Sequence, residues 1–233
     1  VENLKTIGLI GGMSWESSLT YYRLINERVK SNLGALHSAK CILYSVDFEE
    51  IEILQHQEKW NELTDIMVDI VKRLNGAGAD FIVICTNTMH KMVPEIEART
   101  NSKILHIADV TAKEIKQKRL KKVGLLGTKF TMEQDFYKNI LQEKHKIEVI
   151  IPGEKERNII HNVIYEELCK GIIRKDSKKQ YEKIIACLVE QGAEGIVLGC
   201  TEIPLLINQA DCSVPVFDTT QIHAAAAADF ALE

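Results

Sequence analysis

Two short stretches carry residue types suited to acid–base chemistry, and they occupy matching places. VICTNTMH covers residues 83–90 and VLGCTEIP covers 197–204. Each follows a near-identical lead-in, GADFIVI at 78–84 and GAEGIVL at 192–198, and the two copies stay 114 positions apart. Thr86 therefore falls opposite Cys200, and Cys85 opposite Gly199. A thiolate is a workable base near neutral pH, whereas a threonine hydroxyl can at best relay or donate a proton. Cys200 stands at a predicted strand end before a predicted helix start. There the helix dipole and open N–H groups are expected to lower a thiol pKa from about 8.5. Glu202, two residues on, could accept a proton from a bound ammonium group.

In the other copy, Asn87 and Thr88 stand where a helix is predicted to begin. Two readings fit them: ordinary N-capping residues, or side-chain and backbone donors aimed at a carboxylate. Thr201 supplies the matching element in the second copy. GLIGGMSWES at 8–17 is a glycine-rich turn between a predicted strand and helix. Its spacing is neither GxGxxG nor GxxxxGK[ST], so it argues for close approach to a small anion rather than a nucleotide. His90 and His223 have no histidine or cysteine at metal spacing and read as capping or hydrogen-bonded histidines. Cys85 alternates onto the strand face opposite Thr86 and reads as buried. Trp15 and Trp60 read as packing residues, and Asp47 as a ligand contact or a cap. No GxSxG or Ser-His-Asp order is present.

The elements that must position these residues alternate along the chain. Predicted strands KTIGLIGG (5–12), CILYSVDF (41–48), DFIVICT (80–86) and KILHIAD (103–109) alternate with helical patterns at 18–33, at 58–78 and from about Met89. In the first helix Leu19, Tyr22, Ile25, Val29 and Leu33 mark the expected inner face. The pattern then restarts: KKVGLLGTKFTMEQDFYKNIL at 121–141 echoes the start of the chain at an offset of 116. Strands at 147–152, 194–201 and 213–219, helices at 158–171 and 178–192, and a last helix complete it. Apolar runs between amphipathic helices imply parallel sheets covered on both faces. The expected fold is α/β: two similar doubly wound parallel-sheet domains related by pseudo-twofold duplication, with a cleft between them. Residues 1–111 plus 213–233 form the first domain, the C-terminal segment crossing back, and 112–212 the second. Ligands in such sheets bind outside the strands' carboxyl ends, which would bring Thr86 and Cys200 to one cleft.

Composition narrows the classes of function. The chain has 233 residues, 45% of them hydrophobic, with 29 basic against 33 acidic side chains. That balance, with no basic block beyond KQKRLKK, excludes nucleic acid as the expected partner. No apolar run reaches the ~18 residues of a membrane span, and no signal peptide is visible, so a cytoplasmic protein without a membrane partner is expected. Six cysteines without a CxxC spacing imply neither a disulfide framework nor a zinc site; no metal is expected.

GLIGGMSWES, CTNTMH and GCTE together resemble the aspartate/glutamate racemase family of cofactor-independent amino-acid racemases, over essentially the whole chain. The resemblance is nearest to the L-aspartate/glutamate-specific branch through SVDF, LHIAD, TMEQDFY and YEELC. It implies a two-domain α/β fold, commonly a homodimer. It also implies two opposed acid/base residues that exchange the Cα proton with no cofactor, neither pyridoxal phosphate nor metal. Carried onto this sequence, the catalytic pair is Thr86 and Cys200. Met13, Gln55, Asn87, Thr88, Thr201 and Glu202 are the substrate-binding set for an acidic amino acid. Two departures stand out. Most aspartate-racemase members carry cysteine at both positions, and here Thr86 takes the first. Some members have a lysine for the distal carboxylate where Cys169 stands here, leaving Lys170 as the candidate cation. The expected function is racemisation of L-aspartate or L-glutamate, with strongly unequal rates on the two enantiomers and L the favoured hand. Rivals are a hydantoin racemase or maleate isomerase, or a catalytically silent amino-acid- or dicarboxylate-binding protein.

Overall fold

The computed structural model describes residues 4–233. The chain divides into two compact units. One runs to His106 and resumes at His223, and the other is Ile107–Ile222.

In the first unit, β1 (Ile7–Gly11) leads into α1 (Trp15–Leu33), then β2 (Cys41–Ser45), α2 (Phe48–His56), α3 (Trp60–Gly76) and β3 (Phe81–Ile84). A 3-10 turn at Thr88–Met92 and α4 (Val93–Thr100) come next. The strands form a parallel sheet of order β2-β1-β3. Alternation along β3 divides its side chains between two cores. Phe81, Val83 and Cys85 pack with Tyr21, Ile25 and Val29 of α1, while Ile82 and Ile84 pack with the apolar side of α3. The inner face of α1 is thus Tyr21, Ile25 and Val29, and the expected Leu19 and Tyr22 lie on the exposed side. The 3.6-residue period admits both stripes, and only packing on β1 and β3 selects one. Trp15 is likewise 63% exposed, contrary to its reading as a packing residue.

The second unit opens with α5 (Ile107–Gln117) and β4 (Lys122–Gly127), then α6 (Lys129–Glu133), α7 (Asp135–Asn139) and β5 (Glu148–Ile150). It continues through α8 (Glu154–Glu166), α9 (Lys175–Glu190), β6 (Ile196–Gly199) and β7 (Val216–Asp218) into α10 (Thr219–Leu232). Its parallel sheet has the order β5-β4-β6-β7.

The duplication extends to individual bonds. Gly8 pairs with Ile82, and Gly124 pairs with Ile196. A Cβ on either glycine would press on that isoleucine's Cδ1, at 2.8 Å and 2.9 Å. The Asp80 carboxylate accepts the Thr6 N–H at 2.6 Å, and Glu194 does the same for Lys121 at 2.6 Å.

Two expectations about boundaries are corrected. KILHIAD contributes only a bridge from Ile104 to Ile82, closed by two backbone bonds around Ile82, before α5 begins at Ile107. The last strand stays with the second sheet, because β7 pairs with β6 along Val216–Asp218. The chain therefore returns to the first unit at His223 rather than at 213, as α10 lays Ala224, Ala227, Ala228 and Ala231 onto the core of β1 and β3. The other crossing falls after His106 rather than 111.

Candidate functional site

The first-unit residues gather at the carboxyl ends of β1 and β3. After β1 the chain turns at Gly12, whose φ of +91° and closeness to the Val46 carbonyl leave no room for a Cβ. Its N–H donates to Ser18 Oγ at 2.7 Å, Met13 is buried beside it in the sequence, and Ser14 caps α1 by accepting the Ser17 N–H at 3.3 Å. After β3, the Cys85 N–H makes the last ladder bond, to Ile10, at 2.9 Å. Cys85 is fully buried, and Thr86 beyond it keeps partial exposure. Asn87 and Thr88 are buried, and Asn87 makes no side-chain capping bond to the turn it precedes, so the capping reading does not hold there. Gln55, buried on α2, donates from Nε2 to Met89 Sδ at 3.1 Å. Asp47 caps α2 by accepting the Glu49 N–H at 3.1 Å.

Three histidines that no short motif would group lie behind this strand end. The His90 ring centroid is 4.7 Å from that of His106 and 5.5 Å from that of His223. His90 Nδ1 lies 2.8 Å from the Thr86 carbonyl, which can only accept, so the proton sits on Nδ1. By the same logic His223 Nε2–H donates to the Leu105 carbonyl at 2.7 Å, and its Nδ1 accepts the Tyr21 hydroxyl at 2.8 Å. Burial pulls the pKa of His90 down from 6.5 to about 4 and that of His223 to about 3. Both rings are neutral at pH 7. The sequence signal for them is weak: one falls in CTNTMH, one in LHIAD and one in a run of alanines. Among the described residues no group of histidine, cysteine and carboxylate side chains is arranged to hold a metal.

In the second unit, β6 ends at Gly199 and Cys200 comes next, on the same strand face as Ile196 and Leu198. Its thiol donates to Glu202 Oε2 at 3.0 Å, and the Thr201 hydroxyl donates to the same oxygen at 2.6 Å. Cys200 and Glu202 are each 7% exposed. This overturns the expected low thiol pKa. Burial, and then the Glu202 carboxylate, push Cys200 well above the ordinary thiol value. The chain beyond Glu202 makes a three-residue 3-10 turn, Ile203–Leu205, and not an α-helix, so no macrodipole opposes those two effects. Lys170 is exposed and ion-paired with Glu166 at 2.6 Å. Cys200 belongs to a buried cluster that also holds Ile203, Leu206 and Tyr181.

Each unit thus presents one proton-bearing side chain just past the strand paired with its first strand: a hydroxyl in one, a thiol with a carboxylate acceptor in the other. The model of the Asp/Glu/hydantoin racemase family matches residues 10–227. A candidate Asp/Glu racemase of known structure from Yersinia pestis is 56% identical, with a TM-score of 0.93, over 98% of this chain and 100% of that one. An aspartate racemase homologue from Pyrococcus horikoshii OT3 is 36% identical, with a TM-score of 0.84 over the same shares. The broad-specificity amino-acid racemase RacX of Bacillus subtilis (strain 168) is 23% identical over 92% of each chain. The chain belongs to the Asp/Glu/hydantoin racemase family, as an amino-acid racemase.

Proposed function

We propose that this enzyme racemises the acidic amino acids aspartate and glutamate, with Cys200 serving one face of Cα and Thr86 the other. The observation that carries the reading is the Cys200 Sγ to Glu202 Oε2 bond of 3.0 Å, set where the duplicated half holds Thr86. The resting thiol is neutral, so it must first lose its proton, and Glu202 is in place to take it. A substrate ammonium beside Glu202 would offset the carboxylate charge and favour the thiolate. The thiolate then takes the Cα proton: the C–H bond breaks, an S–H bond forms, and the electron pair spreads into the substrate carboxylate. Donors from Asn87, Thr88, Thr201 and the Gly12–Met13 turn stabilise that charge. Thr86 O–H returns a proton to the opposite face, and water restores the hydroxyl. Gln55 belongs to the binding set on the α2 side.

The unequal pair has a kinetic consequence. The two enantiomers are equal in free energy, so kcat/KM must be the same in both directions. The asymmetry therefore lies in kcat and KM separately, with the slower kcat for the hand whose proton the Thr86 side must remove. L is the hand assigned to Cys200, in keeping with the resemblance to the L-specific branch.

The test is proton NMR in D2O with L- and D-aspartate and L- and D-glutamate, run beside Cys200→Ala. Loss of the Cα–H signal with wild type and not with the variant, with the opposite enantiomer appearing on chiral chromatography, is the expected result. No conversion of any of the four would overturn the reading in favour of an amino-acid-binding protein or another substrate.

A further inference from the structure

Thr86 is the first residue beyond the sheet ladder on β3, and buried side chains reach the peptides on both sides of it. The Ser17 hydroxyl is shared between the Ser14 carbonyl at 2.9 Å and the Cys85 carbonyl at 3.3 Å, and His90 Nδ1–H donates to the Thr86 carbonyl at 2.8 Å. His90 is buried, where an imidazole costs stability unless its polar atoms are paired. The bond from Nδ1 supplies such a pairing. Peptide groups are planar, so holding the Thr86 carbonyl fixes the orientation of the Thr86–Asn87 plane. In the second unit Pro204 occupies the sequence position equivalent to His90, so that position offers no imidazole.

We propose that His90 is a positioning residue for the Thr86 half of the reaction, holding the backbone of Thr86 so that its hydroxyl stays aligned on one face of Cα. The His106 and His223 rings pack against it. His223 is itself pinned between Tyr21 and Leu105, so the imidazole that makes the bond is held by a second layer of fixed groups. The inference rests on the reading of Thr86 as the second proton-transfer residue. Its effect belongs to the transition state, because a hydroxyl displaced by a fraction of an ångström still permits binding and transfers a proton poorly.

The experiment compares two polar substitutions. An asparagine amide nitrogen overlays Nδ1 of histidine, whereas a glutamine amide nitrogen overlays Nε2. His90→Asn therefore keeps the donor to Thr86, and His90→Gln moves it away. With L-aspartate, His90→Gln is expected to lower kcat ~10-fold or more with KM within ~2-fold. The solvent deuterium isotope effect on kcat should rise as proton return becomes slower. His90→Asn should recover kcat to within ~3-fold of wild type. Iodoacetamide labelling of Cys200, followed by mass spectrometry, should be unchanged in both, showing the other unit intact. Equal behaviour of the two variants, or a loss carried by KM, overturns the positioning role. Thr86→Val run alongside separates the two claims: if it leaves kcat intact, the assignment of Thr86 itself fails, whatever His90 does.

Discussion

The two units use the same strand register to deliver different chemistry. Both place a proton-bearing side chain just past the strand paired with their first strand, Thr86 after β3 and Cys200 after β6. Around Cys200 the support is on the side chain, a carboxylate two residues on that accepts the thiol proton. Around Thr86 the support is on the backbone, chiefly from His90. The difference comes from the needs of each group. A thiol must be deprotonated to act, so it needs an acceptor; a hydroxyl acting as donor needs only to be aimed. Duplication preserved the position and left the surroundings free to diverge.

The sharpest way to break that comparison is to remove the thiol. Cys200→Ala is expected to lower conversion of L-aspartate by ~10³-fold or more, since no other base replaces it. Thr86→Val should cost less, ~10- to 100-fold, because water can return a proton to an otherwise intact site. Thr86→Cys makes the halves alike and should raise kcat from D-aspartate above wild type. If kcat from D-aspartate does not change, Thr86 does not serve the second face.

Glu202→Gln tests the other support, and its sign is informative. The carboxylate raises the thiol pKa, so replacing it with a neutral amide lets the pKa fall. At a fixed pH near 8 the variant should alkylate at Cys200 several-fold faster with iodoacetamide, while racemisation falls ~10-fold for want of the acceptor. Slower alkylation would show that Glu202 stabilises the thiolate and would reverse its assigned role.

The histidines of the Thr86 half also leave a signature in stability. His90 and His223 have folded pKa values of about 4 and about 3 against an ordinary 6.5. Between those values the unfolded chain binds protons that the folded chain excludes. Their contribution is therefore complete above pH 6.5 and is lost as pH falls toward about 4 for His90 and about 3 for His223, by about a few kcal/mol. Urea unfolding of wild type from pH 7 to 5 should show a falling midpoint. His90→Asn, which removes one titrating ring and keeps the bond to Thr86, should flatten that slope.

Much of this arrangement was legible in the sequence because duplication is. Offsets of 114 and 116 placed Thr86 opposite Cys200 and forecast two parallel sheets, and GADFIVI and GAEGIVL do pair as strands with the start of each half. Local spacing misled where tertiary contacts decide. Leu19 and Tyr22 satisfied a helical period yet face outward, because the competing stripe of Tyr21, Ile25 and Val29 meets the sheet. The low thiol pKa expected for Cys200 presumed an α-helix after GCT, and the chain makes a three-residue turn beside a carboxylate. The histidine cluster was hidden for a different reason: His90, His106 and His223 are brought together only by the fold, and each alone is an ordinary residue.

The smallest expected effect concerns the cation for the distal carboxylate. Lys170 was the candidate by its place next to Cys169, in the Cys200 half. The structure gives its ammonium a partner already, Glu166 at 2.6 Å on an exposed helix end, and both side chains are largely in solvent. Such pairs are worth ~0–1 kcal/mol and are screened by salt. A substrate carboxylate would have to compete with that partner and draw the lysine out of water. Lys170→Ala should therefore change KM for L-aspartate and L-glutamate by less than ~2-fold and leave kcat alone. A tenfold rise in KM for both, with D and L affected alike, would restore Lys170 to the binding set. It would also show that the Cys200 half supplies the charge that holds the side-chain carboxylate as well as the base.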